Sequence, residues 1–465
     1  MSNSARVLIL GAGPTGLGAA LRLKDLGHPV PRVFEAGPAV GGLARSESDA
    51  KGFTWDIGGH VQFSHYRYFD ELMVRALGDT WLLHDRESWV WIEGRFVPYP
   101  FQNNIRHLKP ETMWKCLSGL VEIYRTPLRG RPRHFADWIE ATFGRGIADV
   151  FMRPYNFKVW AHPLEEMDHA WVGERVAVTD LVRVLDNILH GKDDLSWGPN
   201  NRFQFPVRGG TGAVWEAVAD LVGREHITLG AAAVGIDAAR RRVRFSSGET
   251  VEYDVLISSI PVEVLVDLTE LTHLEAPASK LKFSSSNIIG VGLTGKPPAA
   301  VSKKCWMYFP EADCPFYRVT VFSNYSPNNV PDIAKYWSLM AEVSESAHKP
   351  VDHGTVVAEA IQGMRNTGLI DASHEVVSTW YHRAHHGYPI PSLGRDEALN
   401  AIHSELEKLG IYSRGRFGGW KYEVSNQDHS LMQGVELVNR LVLGTPEVTF
   451  WFPNTANDMR YAKRP

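Results

Sequence analysis

Arg6-Val-Leu-Ile-Leu10, Gly11-Ala-Gly-Pro-Thr-Gly16 and, after an intervening helical segment, Pro29-Val-Pro-Arg-Val-Phe34-Glu35 decide how this chain folds. The first five residues read as a short buried strand. Leu17, Ala20, Leu21, Leu23 and Leu26 then recur at helical spacing, and Gly27-His28 closes the helix before a second strand. Gly11 permits the tight turn, Gly13 lets a pyrophosphate approach the backbone, and Gly16 lets helix and strand pack closely. The helix start, with Pro14 and Thr15 in its first turn, offers oriented N–H groups and a positive dipole end to phosphates. Glu35 ends the second strand, where a carboxylate accepts ribose hydroxyls. Strand, glycine turn, helix and acid in one register predict a dinucleotide-binding domain.

Two further glycine turns follow, Gly41-Gly42-Leu43-Ala44 and Asp56-Ile-Gly58-Gly59-His60. Additional close backbone approaches suit a ligand held along its whole length, as FAD is.

Composition narrows the rest. A length of 465 residues corresponds to roughly three domains. Forty-nine lysines and arginines against 53 acids give a net charge of −4, which argues against a nucleic-acid binder relying on bulk positive charge. Cys116, Cys305 and Cys314 are too few for a disulfide framework and too scattered for a metal site, and they fit a reducing cytosol. The only apolar run near the start is cut by Gly11, Gly13 and Pro14, so no targeting or membrane segment is expected and the protein is read as cytoplasmic. Fifteen tryptophans, 15 tyrosines and 20 phenylalanines pack cores and also build stacking pockets. Trp138, Ile139, Phe143, Ile147, Val150 and Phe151 trace one helical face, Val251–Ile260 and Asn287–Leu293 read as strands, and Leu431, Val435, Leu437, Val438 and Leu441 space a final helix.

Longer motifs run through the chain in one order: Asp56-Ile-Gly-Gly-His-Val-Gln-Phe63-Ser-His-Tyr66, Val97-Pro-Tyr-Pro-Phe-Gln-Asn-Asn104, Phe151-Met-Arg-Pro-Tyr-Asn-Phe-Lys-Val-Trp160, Gly173-Glu-Arg-Val176, Cys314-Pro-Phe-Tyr-Arg318, His386-Gly-Tyr-Pro389, Arg414-Gly-Arg-Phe-Gly418 and Tyr422-Glu-Val-Ser-Asn-Gln-Asp-His429. With these stretches the sequence resembles flavoproteins of the UDP-galactopyranose mutase family, particularly its larger eukaryotic-type members, from about residue 6 to about residue 450.

The resemblance implies an α/β fold in three parts. These are a discontinuous Rossmann-like FAD domain (1–80, 205–260 and 396–465), a helical domain (104–196) and an antiparallel β-sheet domain (81–103 and 261–395). It implies an isomerase that interconverts UDP-galactopyranose and UDP-galactofuranose, with N5 of reduced FAD attacking the anomeric carbon and NADPH or NADH as reductant. By the same resemblance, Arg175 and Arg318 grip the diphosphate, and His60 lies at the flavin. Tyr308, Tyr388 and Tyr422 reach the phosphates; Tyr99, Phe101, Gln102, Asn156 and Trp160 hold the base; Asn200 and Trp306 lie near the sugar; and Phe63 and Asn426 also bind the substrate. Arg416, Asn426, Gln427 and Ser430 join the glycine-turn residues and Glu35 at the cofactor. A nucleotide sugar is the expected partner, and a homo-oligomer is left open. Chemically distinct alternatives are the same reaction on a 6-deoxyhexose or arabinose nucleotide, a flavin oxidoreductase of the amine-oxidase type, and a non-catalytic FAD-binding module.

Overall fold

The computed structural model describes residues 1, 4–126, 130–195 and 201–458. Its first sheet has five parallel strands in the order Ile411–Ser413, Val255–Ser258, Val7–Leu10, Arg32–Phe34 and Ile227–Thr228. The Pro14–Asp25 helix leaves the first strand, and the Gln427–Leu443 helix from the far end of the chain lies against it. That contact is close because Gly434 sits where a Cβ would come within 2.1 Å of the Thr15 carbonyl. Leu431, Val435, Leu437 and Val438 are buried in one core with Leu17, Ala20 and Leu21, so the tail completes the N-terminal domain. Each such buried aliphatic side chain contributes about 1.5–3 kcal/mol.

The second sheet has seven strands, in the order Val376–Ile390, Lys282–Thr294, Tyr336–Glu345, Arg318–Val321, Trp306–Tyr308, Ser88–Ile92 and Arg95–Pro98. Its pairs are antiparallel except that Trp306–Tyr308 runs parallel to Ser88–Ile92. The packing moves two of the expected boundaries. Trp81–Asp85 pairs with Arg202–Pro206 in a separate ribbon instead of joining the large sheet. Val262, Leu265, Leu274 and Leu281 belong to the core that contains Leu8, Leu10 and Phe34, so the large sheet takes over near residue 282, not 261.

Between these parts lies a helical layer, including Pro110–Arg125, Phe135–Ile147, Arg153–Trp160 and Leu181–His190. The apolar face predicted from Trp138 to Phe151 is not one straight α-helix. It breaks at Gly144 (φ 70°) and continues as a π-helical turn over Ala148–Met152; the break lies against the Pro110–Arg125 helix, so close that a Cβ at Gly144 would meet the Gly119 carbonyl at 2.3 Å. Among the described residues no helix is long and apolar enough to cross a membrane, and the three cysteines are free and buried.

One buried acid ties the glycine-rich turns together. Asp56 accepts the Ser46 hydroxyl at 2.5 Å and the Thr211 N–H at 3.1 Å. Burial lifts its carboxyl from 3.8 to about 7 despite those bonds. The folded chain therefore holds a proton between about pH 4 and 7 that the unfolded chain has released, so stability falls as pH rises through that window. In Asp56→Asn this part of the slope should vanish, which paired denaturant titrations at pH 5 and pH 7.5 will read.

Candidate active site

A cavity of about 580 Å³ opens where the three parts meet. Gly11, Gly13, Pro14, Thr15, Gly42 and Leu43 line one end. The Pro14–Asp25 helix has no side-chain cap at Gly13, so its first N–H groups face the cavity unsatisfied by a side chain. Gly13 and Gly42 oppose each other, a Cβ on Gly42 falling 3.4 Å from the Gly13 Cα. Gly16 does not line the cavity. It packs beneath it, and a Cβ there would lie 1.9 Å from the Gly11 carbonyl oxygen. Glu35 Oε2 accepts from the Ala12 N–H at 2.8 Å and Oε1 from the Gly37 N–H at 2.7 Å, so the carboxylate is fixed at the cavity with lone pairs to spare.

A second helix start faces the same space. Asn426, Gln427 and Ser430 line it, and the Gln427–Leu443 helix likewise lacks a side-chain cap. Thr15 Oγ1 donates to the Ser430 carbonyl at 2.7 Å, tying the two helix starts together. Gln427 Oε1 accepts from Trp215 Nε1 (2.7 Å) and Gln62 Nε2 (3.1 Å). Asp428 accepts from the His65 backbone N–H (3.1 Å) and contacts His65 Nδ1 at 2.7 Å, all of it buried. Sequence reasoning did not single out His65 and Asp428, although both stand inside quoted motifs.

Gly58, Gly59 and His60 form the opposite wall. His60 Nδ1 is buried without a hydrogen-bond partner, and burial draws the imidazole down to about 4, with Glu342 opposing and Arg416 and Arg318 assisting. His60 is therefore neutral at physiological pH. Arg318 Nε and Nη2 bind Glu342 in a fork at 2.7 and 2.8 Å. Glu342 also accepts from the Tyr317 hydroxyl (2.6 Å) and the Gly59 N–H (3.0 Å). Burial alone would raise its carboxyl, but Arg318 and these donors hold it below the ordinary value. Glu342 thus fixes the angle of Arg318 and anchors the His60 loop, a role without a signal in the sequence.

Arg175 and Arg416 differ from Arg318. Arg175 donates to the Glu423 carbonyl (2.7 Å) and Asn426 Oδ1 (3.5 Å), lies over the Tyr422 ring, and keeps a buried Nε without a partner. Arg416 donates to the Gly387 carbonyl (2.9 Å) and Ser425 Oγ (2.9 Å) and lies over Tyr388. Neither makes an ion pair among the described residues, and burial lowers the Arg416 pKa from its ordinary value. Arg86, which the sequence did not flag, also lines the cavity with its guanidinium over Tyr99.

Phe63, Tyr99, Trp306, Tyr308, Tyr388 and Tyr422 line the same space, with Trp306 Nε1 donating to the Tyr308 hydroxyl at 2.7 Å. Four of the residues assigned to the base do not reach it. Phe101 and Trp160 are buried in the helical core, Gln102 Nε2 donates to the Ala177 carbonyl at 2.5 Å, and Asn156 bonds the Met152 carbonyl and Trp160 Nε1. Trp160 meets Tyr422 edge-on at 4.7 Å, one layer behind the wall. Asn200 lies outside the described residues.

A glycine cradle, two uncapped helix starts and guanidiniums without ion pairs suit a group carrying phosphates, and His60 lines the same cavity while its Nδ1 is buried without a hydrogen-bond partner. The family model for flavin containing amine oxidoreductases matches residues 14–416. A solved structure of reduced UDP-galactopyranose mutase superposes with a TM-score of 0.94 at 48% identity, over 97% of this chain and 96% of that one. The chain belongs to the UDP-galactopyranose mutase family. Its likeness extends at the level of fold alone to a putative protoporphyrinogen oxidase from Exiguobacterium, with a TM-score of 0.70 at 16% identity over 96% of this chain and all of that one. A probable zeta-carotene desaturase of Synechococcus elongatus is 44% identical over 71 residues, which is 15% of either chain. That match covers only a small part of either molecule.

Proposed function

We propose that the protein interconverts UDP-galactopyranose and UDP-galactofuranose with FAD in its reduced state. The observation that carries this reading is the pair Arg175 and Arg416, set at the cavity without a carboxylate partner among the described residues. A cation taken out of water and left unpaired costs several kcal/mol until an anion arrives, so the cavity is arranged for an anionic ligand. The turn Gly11–Thr15, Gly42 and Leu43 would hold the FAD pyrophosphate, Glu35 its ribose, and Gly58–His60 with Asn426, Gln427 and Ser430 its ring end. This leaves Arg175 and Arg318 for the diphosphate of the sugar nucleotide, and Arg416, which the resemblance puts at the cofactor, is reassigned to that diphosphate beside them. Bound FAD, when reduced, supplies a nucleophile for the anomeric carbon.

The chain's own task is to hold the diphosphate once its bond to the sugar is broken and to return it to the same carbon. Guanidinium forks suit this better than lysines, because they bind several oxygens in fixed geometry. Tyr308, Tyr388 and Tyr422 add hydroxyl donors, and Phe63 and Trp306 flank the sugar. Tyr99 lines the cavity and stacks on the base, while Phe101, Gln102, Asn156 and Trp160 lie behind that wall and support it. NADPH or NADH serves as reductant, and the free cysteines fit a cytosolic setting. An amine oxidase would need a cavity hospitable to cations, which three arginines oppose.

A panel of nucleotide sugars incubated with the reduced enzyme, with products separated by chromatography, tests the assignment. The UDP-galactose pair should turn over fastest, with the thymidine diphosphate analogue within about two orders of magnitude, since a pocket rejects one methyl weakly. Turnover of amines and of no nucleotide sugar would sink it.

A further inference from the structure

The C-terminal turn Pro453–Asn457 follows the cofactor-domain helix and packs on two short turns that carry cavity residues, Gly173–Arg175 and Tyr422–Val424. Its last residue makes the decisive contact. Asn457 Nδ2 donates at 2.8 Å to the Glu423 carbonyl, the same oxygen that Arg175 Nη2 binds at 2.7 Å. The segment leading to it is pinned at several points. Glu447 pairs with Arg414 and Arg440, the Thr449 hydroxyl bonds Glu436 and the Tyr66 hydroxyl, and the Phe450 carbonyl accepts from Lys421. The Glu423 side chain is spoken for elsewhere, forked onto buried Arg395 at 2.7 and 2.9 Å, so only its carbonyl oxygen faces Arg175.

We propose that Asn457 is a positioning residue: the C-terminal turn braces the Glu423 carbonyl so that Arg175 stands ready for the substrate diphosphate. Arg175 has no ion pair to set its angle, unlike Arg318, whose fork is fixed by Glu342. Its orientation depends on one carbonyl, one amide oxygen and the Tyr422 ring. Removing the second donor from that carbonyl frees the Tyr422–Val424 turn and the guanidinium together. The ligand identity rests on the mutase reading; the brace itself does not.

The test compares parent, Asn457→Ala and Asn457→Asp, all as FAD-loaded protein. UDP alone is titrated by calorimetry, and kcat and KM for UDP-galactofuranose are measured on the reduced enzyme. A hydrogen bond acting through a charged group predicts UDP binding weaker by about tenfold in the alanine variant, with KM rising in parallel. Flavin content and melting temperature should stay near parental values, while kcat falls by less than about tenfold because Arg175 also holds the released diphosphate. The aspartate variant, which lacks the donor and adds a charge beside the diphosphate, should bind UDP more weakly still. Unchanged UDP affinity would overturn the brace, as would a loss of affinity accompanied by equal losses of flavin and melting temperature. A parent that binds UDP yet forms no pyranose would instead refute the mutase reading, while the variants' UDP affinities still decide the role of Asn457.

Discussion

Arg318→Ala should lower turnover by about 100-fold or more while FAD stays bound, because a fixed guanidinium at developing phosphate charge is worth several kcal/mol in a site shielded from water. The structure adds a complication that a mutant study has to separate. Arg318 is the only cation that forks onto Glu342 among the described residues, and Glu342 is 2% exposed. Truncating the arginine leaves that carboxylate buried and unpaired, which costs about 3–5 kcal/mol of stability. The double variant Arg318→Ala, Glu342→Gln removes the stranded charge. It should recover most of the lost stability and none of the turnover, as thermal melts and steady-state rates on the reduced enzyme will show. Near-normal turnover in either variant, or loss of flavin in both, would take Arg318 out of the proposed role.

The second large effect lies in the first glycine turn. A Cβ at Gly16 would sit 1.9 Å from the Gly11 carbonyl and 3.1 Å from Ile9 Cγ2, both fixed in the central strand and its turn. Gly16→Ala should therefore lose FAD and stability together, with FAD affinity weaker by more than about tenfold. Gly13→Ala separates the two effects. Its φ of −78° suits any residue, and its nearest neighbour is the Gly42 Cα at 3.9 Å, so the folded protein has room for the methyl. A pyrophosphate does not. Gly13→Ala is expected to melt near the parental temperature and to purify with little flavin absorbance. A Gly13→Ala protein with full flavin content would remove the phosphates from that turn.

How much of this was legible in the sequence depended on whether the determining contacts were local. The Val7–Leu10 strand, the glycine turn and the helix after it follow from neighbours in sequence, and the tail helix announced itself through Leu431, Val435, Leu437 and Val438. Glu342 was not legible. It faces Arg318 across an antiparallel pair, a register set only when the Tyr336–Glu345 strand docks. The same holds for the boundary near residue 261, since the helix Val262–Thr269 has an apolar face that either core could have accepted. Phe101, Gln102, Asn156 and Trp160 show the converse. Their motifs are plain in the sequence, yet Phe101, Gln102 and Trp160 are turned into the helical core by tertiary packing, Phe101 against Phe151 and Trp160 against Trp171 and Tyr422. The abundant aromatics divide accordingly. Trp55, Trp215, Trp337 and Trp420 are fully buried packing residues, whereas Trp306 lines the site.

The most direct measurement is an anaerobic incubation of the FAD-loaded protein with UDP-galactofuranose, run once after dithionite reduction and once with the flavin oxidised, with the nucleotide sugars resolved by chromatography. Conversion to UDP-galactopyranose is expected in the reduced sample and none in the oxidised one. No pyranose from fully reduced, FAD-replete protein, or equal conversion in both samples, would contradict the proposed function.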